Sequence, residues 1–288
     1  MTTATSTISR SLAAAPSRPL RRNHAWGRRL LIGAVWLYVA VLILAPLVRL
    51  VIGAFSEGLA PIVASLSQPA VLRAFGLTLS ISLVTVAVHA VCGTLVAWMM
   101  VRDNFPGKWL VNGLLDLPFA VSPVVVGYML LLLFGRNGLL APVLAPFGVK
   151  VAFAVPGMIL ATLFVTMPFM VRELIPVLRA FGIQQEQAAA TLGASGWQTF
   201  WYVTLPAIRW GFIYGVTLTF ARALGEFGAV LVIGGGIQGR TETATLLIYR
   251  SLDERQYIGA YSAALVLGLF SLIVVMGTDL MRRRAEKV

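Results

Sequence analysis

Charge is scarce in this chain. Of its 288 residues, 12% are Asp, Glu, Lys or Arg, about half the roughly 25% of a soluble domain. Acids are scarcer than bases, eleven against 23, for a net charge of +12. There is one cysteine, Cys92, so no intramolecular disulfide can form and no paired-Cys metal site exists. There are two histidines, His24 and His89, and no H-E-x-x-H. No G-x-x-x-x-G-K-[ST] is present, and the Gly234–Gly236 triplet lacks a Lys and reads as a helix end. The chain is therefore not expected to hydrolyse ATP by itself. No nucleophile–base pair is visible by spacing. Neither an enzyme nor a metal site is expected. The basic residues sit between apolar runs rather than on a polar surface, so membrane topology explains them better than nucleic acid does.

What the chain has is apolar sequence, 58% of it. A bilayer crossing needs about 20 mostly apolar residues. Six stretches qualify: Leu30–Val48, Ala74–Val101, Leu110–Gly135, Val151–Val171, Trp210–Gly234 and Tyr257–Thr278. The third carries Asn112 and Asp116 near its start, and the fifth contains Arg222 and Glu226. Lys and Arg prefer the cytoplasmic side. Fifteen of them fall in residues 1–29, 102–109, 172–209 and 279–288, against seven in the alternate segments. Both termini are expected in the cytoplasm. Residues 1–29 and 279–288 read as basic tails, the first disordered and ahead of an uncleaved anchor. Residues 30–73 hold the first span and an external loop, and 74–278 a core of five spans. The expected fold is an all-α, six-span membrane protein.

Arg222 and Glu226 stand out because each charge at mid-membrane costs about 2.5–3.5 kcal/mol on an insertion scale. Their i,i+4 spacing lets them neutralise each other. Gly225 and Gly228 beside them allow close approach of another helix. The pair is either a structural bridge or part of a polar pathway, and the two roles are compatible. His89, alone in the second span, reads as an interhelical hydrogen bond more readily than as a proton relay.

The stretch from Glu186 to Pro206 is too polar to span and too patterned for a slack linker. Glu186–Leu192 reads as a short helix, with Gly193 as its stop. Trp197, Phe200 and Trp201 then recur at helical spacing, which predicts a second short amphipathic segment. With no Lys or Arg before Arg209, the stretch suits a protein partner better than a lipid surface.

This stretch resembles the EAA loop of the membrane subunits of binding-protein-dependent ABC importers. That pattern is Glu-Ala-Ala, then a Gly, then a hydrophobic-Pro close. Here it reads Gln187-Ala188-Ala189, Gly193 and Leu205-Pro206, within a loop at 184–206. The departure is Gln187, with the acid one place earlier at Glu186. Whether Glu186 makes the family's acidic contact, or Gln187 a neutral one, stays open.

With Asp116–Gly127, Val171–Leu178, Leu192–Val230 and Ala244–Tyr257, the chain resembles the sulfate/thiosulfate permease family, most of all its W-type subunit. The "RALGEFGA" core is similar to molybdate permeases as well, so another oxyanion such as molybdate or tungstate is the alternative cargo. The resemblance implies a type I importer permease fold and a homologous T-type permease partner. It also implies two ATPase subunits that take the loop and use ATP-Mg, no cofactor on this chain, and a bacterial inner membrane. A periplasmic sulfate-binding protein would dock outside, over Gly235–Gln256 among others. Ser122 and Thr219 would offer weak anion contacts beside Arg222 and Glu226. A secondary transporter or a membrane scaffold are the rival readings. The first offers only His89, Arg222 and Glu226 for ion coupling, and the second leaves the buried pair without a purpose.

Overall fold

The computed structural model describes residues 24–285. Most of the expected N-terminal tail and the last three residues lie outside that range. Every regular element among the described residues is a helix. The chain divides into two compact units at Arg49. Helix α1, Trp26–Ala54, runs through the first unit and into the second. It begins ahead of the expected Leu30. A π turn at Ala40–Leu44 interrupts it, with the Ala45 N–H donated to the Ala40 carbonyl. Pro46 follows directly. A proline inside a helix lacks its own N–H and crowds the carbonyl four residues back, and a widened turn relieves both.

In the second unit, α2 (Leu59–Leu66) is short. Helix α3, Pro69–Arg102, has 34 residues. At 1.5 Å per residue it is about 50 Å long, well beyond the roughly 30 Å hydrocarbon core. The expected third span is two helices, α4 (Lys108–Ala120) and α5 (Pro123–Phe134), bent by 113°. The sequence sets that break. Ser122 precedes a proline and takes an extended conformation, φ −60° and ψ 137°, so Pro123 starts a new helix instead of continuing the old one.

Helix α6, Val155–Phe181, lies at the centre. It runs ten residues past the expected Val171 because Arg172 finds partners without leaving the helix. Its Nε reaches Asp116 Oδ1 at 2.9 Å and its Nη1 reaches Asn112 Oδ1 at 3.0 Å. Gly182, φ +73°, ends it. Helix α7, Gln184–Thr191, follows. Helix α8 spans Gly196–Leu224 and is bent by 56° from α9, Gly228–Gly234. Helix α10 is Ala244–Asp253 and α11 is Tyr257–Ala285. Helix α11 thus carries beyond Thr278 into the expected tail.

Lipid is as apolar as Leu, so helices inside a bilayer associate through close packing and polar contacts. Helix α6 shows both. Met158, Val165 and Ile233 of α9 share one cluster, and Met170, Leu174 and Leu178 share another with Ala97 of α3 and Ile208 of α8. A Cβ at Gly127 of α5 would sit 2.6 Å from the Ala229 carbonyl oxygen, so only glycine permits that approach to α9. His89 Nε2 lies 3.0 Å from the Leu163 carbonyl and 3.1 Å from Thr166 Oγ1. It is therefore an α3–α6 hydrogen bond.

Candidate coupling loop and broken-helix site

The expected two short helices are one short helix and the start of a long one. Helix α7 ends at Thr191, and Gly193 takes φ +86° beyond it. Its N–H donates to the Ala190 carbonyl, and that of Ala194 to Ala189, which satisfies carbonyls at the helix end. Ser195 opens α8 with a capping box: its hydroxyl accepts from Gln198 N–H and the Gln198 side chain accepts from Ser195 N–H. The aromatic segment does not stop at Pro206. A π turn at Phe200–Thr204 precedes that proline, and Leu205 N–H donates to the Phe200 carbonyl. This repeats the arrangement before Pro46. Trp197, Phe200 and Trp201 form one ring cluster, with Trp197–Trp201 centroids 5.5 Å apart.

The two faces of α7 differ. Gln187, Ala188, Thr191 and Leu192 are exposed, Leu192 at 89%. Glu186 turns inward. Its Oε2 lies 2.9 Å from Arg102 Nε, with side-chain exposures of 14% and 9%. Its Oε1 accepts from Thr204 Oγ1 at 2.8 Å and from Arg102 Nη2 at 3.1 Å. Arg102 and Thr204 were not legible as partners, since they lie 84 and 18 residues away in the chain.

The charged pair straddles a helix end: Arg222 is in the last turn of α8 and Glu226 lies beyond it. Arg222 Nη1 is 2.8 Å from Glu226 Oε2, and the carboxylate is almost enclosed, at 2% exposure against 29% for Arg222. Helix α8 ends at Leu224, so Glu226 falls between α8 and α9. Its Oε1 accepts the Ala229 N–H at 3.0 Å. A carboxylate there satisfies an otherwise orphaned donor and complements the positive end of α9. Its carbonyl accepts from Thr245 Oγ1 at 2.7 Å. Non-helical backbone at membrane depth survives only when it is satisfied in this way or lines a cavity. The break at Glu226 meets the first condition, and the break at Ser122 meets the second. A cleft of about 430 Å³ is lined by Pro118, Ser122, Pro123, Phe169 and Arg222, among others. Gly228 lies against Pro123 and Val124, so the two helix breaks meet. Ser122 and Arg222 share the cleft. Thr219 does not line it and is fully buried, its hydroxyl without a partner among the described residues.

The segment Gly235–Gln256 is not a free external loop. Thr241, Glu242 and Thr243 are buried, and Ala244 N–H donates to Thr78 Oγ1 of α3 at 2.8 Å. Glu242 is spent internally on Arg250, at 2.6 Å. That hydrogen bond holds the Arg250 guanidinium even further above its ordinary range, against the opposing effect of burial.

Among the described residues, helices alone, several of membrane length, with two would-be crossings broken and their breaks meeting beside a cleft that holds Ser122 and Arg222, define a multi-pass membrane protein. Residues 89–287 match the family model described as "Binding-protein-dependent transport system inner membrane component". The chain belongs to that family and, within it, to the CysW-type sulfate transport permeases. It is 47% identical to "Sulfate transport system permease protein CysW" of Escherichia coli K12, over 91% of this chain and 90% of that one. It is 38% identical to the CysT permease protein of the same organism, over 90% and 93%. The fold matches that of a bacterial alginate ABC transporter crystallised with its pentasaccharide-bound periplasmic protein. That match has TM-score 0.76 and 19% identity, and it covers 92% of this chain and 97% of that one.

Proposed function

We propose that this chain is the W-type permease subunit of an ATP-driven, binding-protein-dependent sulfate/thiosulfate importer in a bacterial inner membrane. Two relatives support the cargo and the pairing: one is named as a sulfate CysW permease protein, the other as a sulfate CysT permease protein. A CysT-type subunit would close the translocation path with this one. A periplasmic sulfate-binding protein would deliver the anion. Counting each bent pair as one crossing gives up to six spans, and the excess of basic residues supports both ends in the cytoplasm.

The observation that carries the reading is helix α7. It is short, it is set off by Gly182 and Gly193, and it presents Gln187, Ala188 and Leu192 outward. An ATPase subunit that accepts such a helix in a groove supplies the motor, with ATP-Mg bound on that subunit and no cofactor on this one. The cleft at Ser122 and Arg222, with Glu226 enclosed behind Arg222, borders the path. It makes transient anion contacts, while the binding protein supplies the affinity. The test is co-purification of the ATPase subunit with the intact chain. Bulky or charged replacements at Ala188, Ala189 or Gly193 are expected to release it. Association and uptake that both survive them would end the coupling-loop reading.

A further inference from the structure

Glu186, the acid of the loop, faces the chain's own helices. Arg102 is the last residue of α3. Its Nη2 donates to the Gly182 carbonyl at 2.6 Å as well as to Glu186. Gly182 is the joint after α6, and Thr204 closes the π turn of α8 and is 1% exposed. One carboxylate and one guanidinium therefore join the ends of α3 and α6, helix α7, and the entrance to α8. The guanidinium fork suits this, since it can hold a carboxylate and a carbonyl at once. With its Oε1 taking two donors and its Oε2 lying against Arg102, the Glu186 carboxylate has little left for a partner protein.

We propose that Arg102, Glu186 and Thr204 form a clasp that transmits the displacement of α7 to α3, α6 and α8. In this arrangement Glu186 makes no contact with the ATPase subunit, which reads the opposite face at Gln187, Ala188, Thr191 and Leu192. Arg102 and Thr204 are positioning residues, and they act through Glu186. The proposal rests on the coupling-loop reading above. The clasp makes α7 and the membrane helices one mechanical unit: an ATPase that moves α7 must move the ends of three long helices with it. Without the clasp, α7 can rock about Gly182 and Gly193 while the membrane helices stay still.

The experiment uses the complete importer in sealed vesicles: both permease subunits, the ATPase subunits and the binding protein. ATP hydrolysis and uptake of labelled sulfate are measured on the same vesicles. Their ratio is the readout, because a variant that merely folded poorly would lower both together. Arg102→Gln is expected to keep the ATPase subunit bound and hydrolysing, and to lower sulfate taken up per ATP by about tenfold. Glu186→Gln is expected to behave alike, and the double variant no worse than either single one, because both remove one shared contact. Leu192→Glu, on the outward face, is expected to release the ATPase subunit.

Unchanged uptake per ATP in Arg102→Gln and Glu186→Gln would overturn the clasp. So would release of the ATPase subunit by Glu186→Gln but not by Arg102→Gln, which would place Glu186 at the interface. Retention of the ATPase subunit by both Leu192→Glu and Gly193→Val would instead refute the coupling loop itself, a separate outcome.

Discussion

Removing Arg222 should harm this protein more than removing Glu226, and removing both should harm it least. The order follows from unequal burial. Glu226 is 2% exposed and Arg222 29%. Breaking a buried ion pair by deleting one partner costs about 3–5 kcal/mol, because a charge is left without compensation. Arg222→Leu leaves the enclosed carboxylate with only the Ala229 N–H and belongs near the top of that range. Glu226→Leu leaves a guanidinium that can still turn toward the cleft it lines, so about 3 kcal/mol is expected. Glu226→Gln keeps an acceptor for Ala229 N–H and should recover about 1 kcal/mol of that loss. The double Leu variant leaves no charge to compensate and should lie within about 1 kcal/mol of the parent, or above it.

At roughly 2 °C per kcal/mol for a chain of this size, Arg222→Leu should lower the unfolding midpoint by about 10 °C. The assay is the thermal loss of monodisperse protein in detergent, read by fluorescence-detected size exclusion. If Glu226→Leu were the less stable single variant, or the double variant fell below both, the burial argument would be wrong. The same double variant bears on transport: intact uptake and intact coupling to ATP would remove the pair from the path.

Two further predictions concern glycines. At Gly127 a Cβ would sit 2.6 Å from the Ala229 carbonyl oxygen, whereas at Gly76 it would meet nothing within 4 Å. Gly127→Ala should therefore cost about 1–3 kcal/mol by forcing α5 from α9, while Gly76→Ala, in an open helical position, should be neutral or gain up to about 1 kcal/mol. Melting both variants beside the parent checks the contrast. Gly193 has room for a side chain but not the conformation for one. Gly193→Val should fray the end of α7 and speed its amide exchange by about tenfold, with Gly193→Asn intermediate, since Asn tolerates the left-handed region.

The helices were legible because membrane spans announce themselves by composition, and α7 because alanines followed by a glycine have few other readings. The breaks were less so. Ser122-Pro123 carried a local signal, a residue forced extended before a proline, but it lay inside an apolar run that looked continuous. The apolar run Val151–Val171 ends at Arg172, but the helix itself continues to Phe181. Only the fold reveals that Asp116 and Asn112 receive Arg172. The same holds for the acid in the loop. Its position one residue from the pattern left its contact open, and the answer depended on Arg102, which no local spacing connects to it. The pathway residues divide likewise: Ser122 and Arg222 meet at one cleft, while Thr219, close in sequence to Arg222, points into packed interior.

Sulfate uptake separates an ATP-driven sulfate permease from its rivals. Cells lacking this chain are given radiolabelled sulfate with and without the intact gene, and with excess molybdate as competitor. Uptake is expected to return only with the chain, to need ATP and the binding protein, and to withstand molybdate. Uptake that returns without the ATPase subunit would contradict an ATP-driven permease. Uptake abolished by molybdate would reassign the cargo.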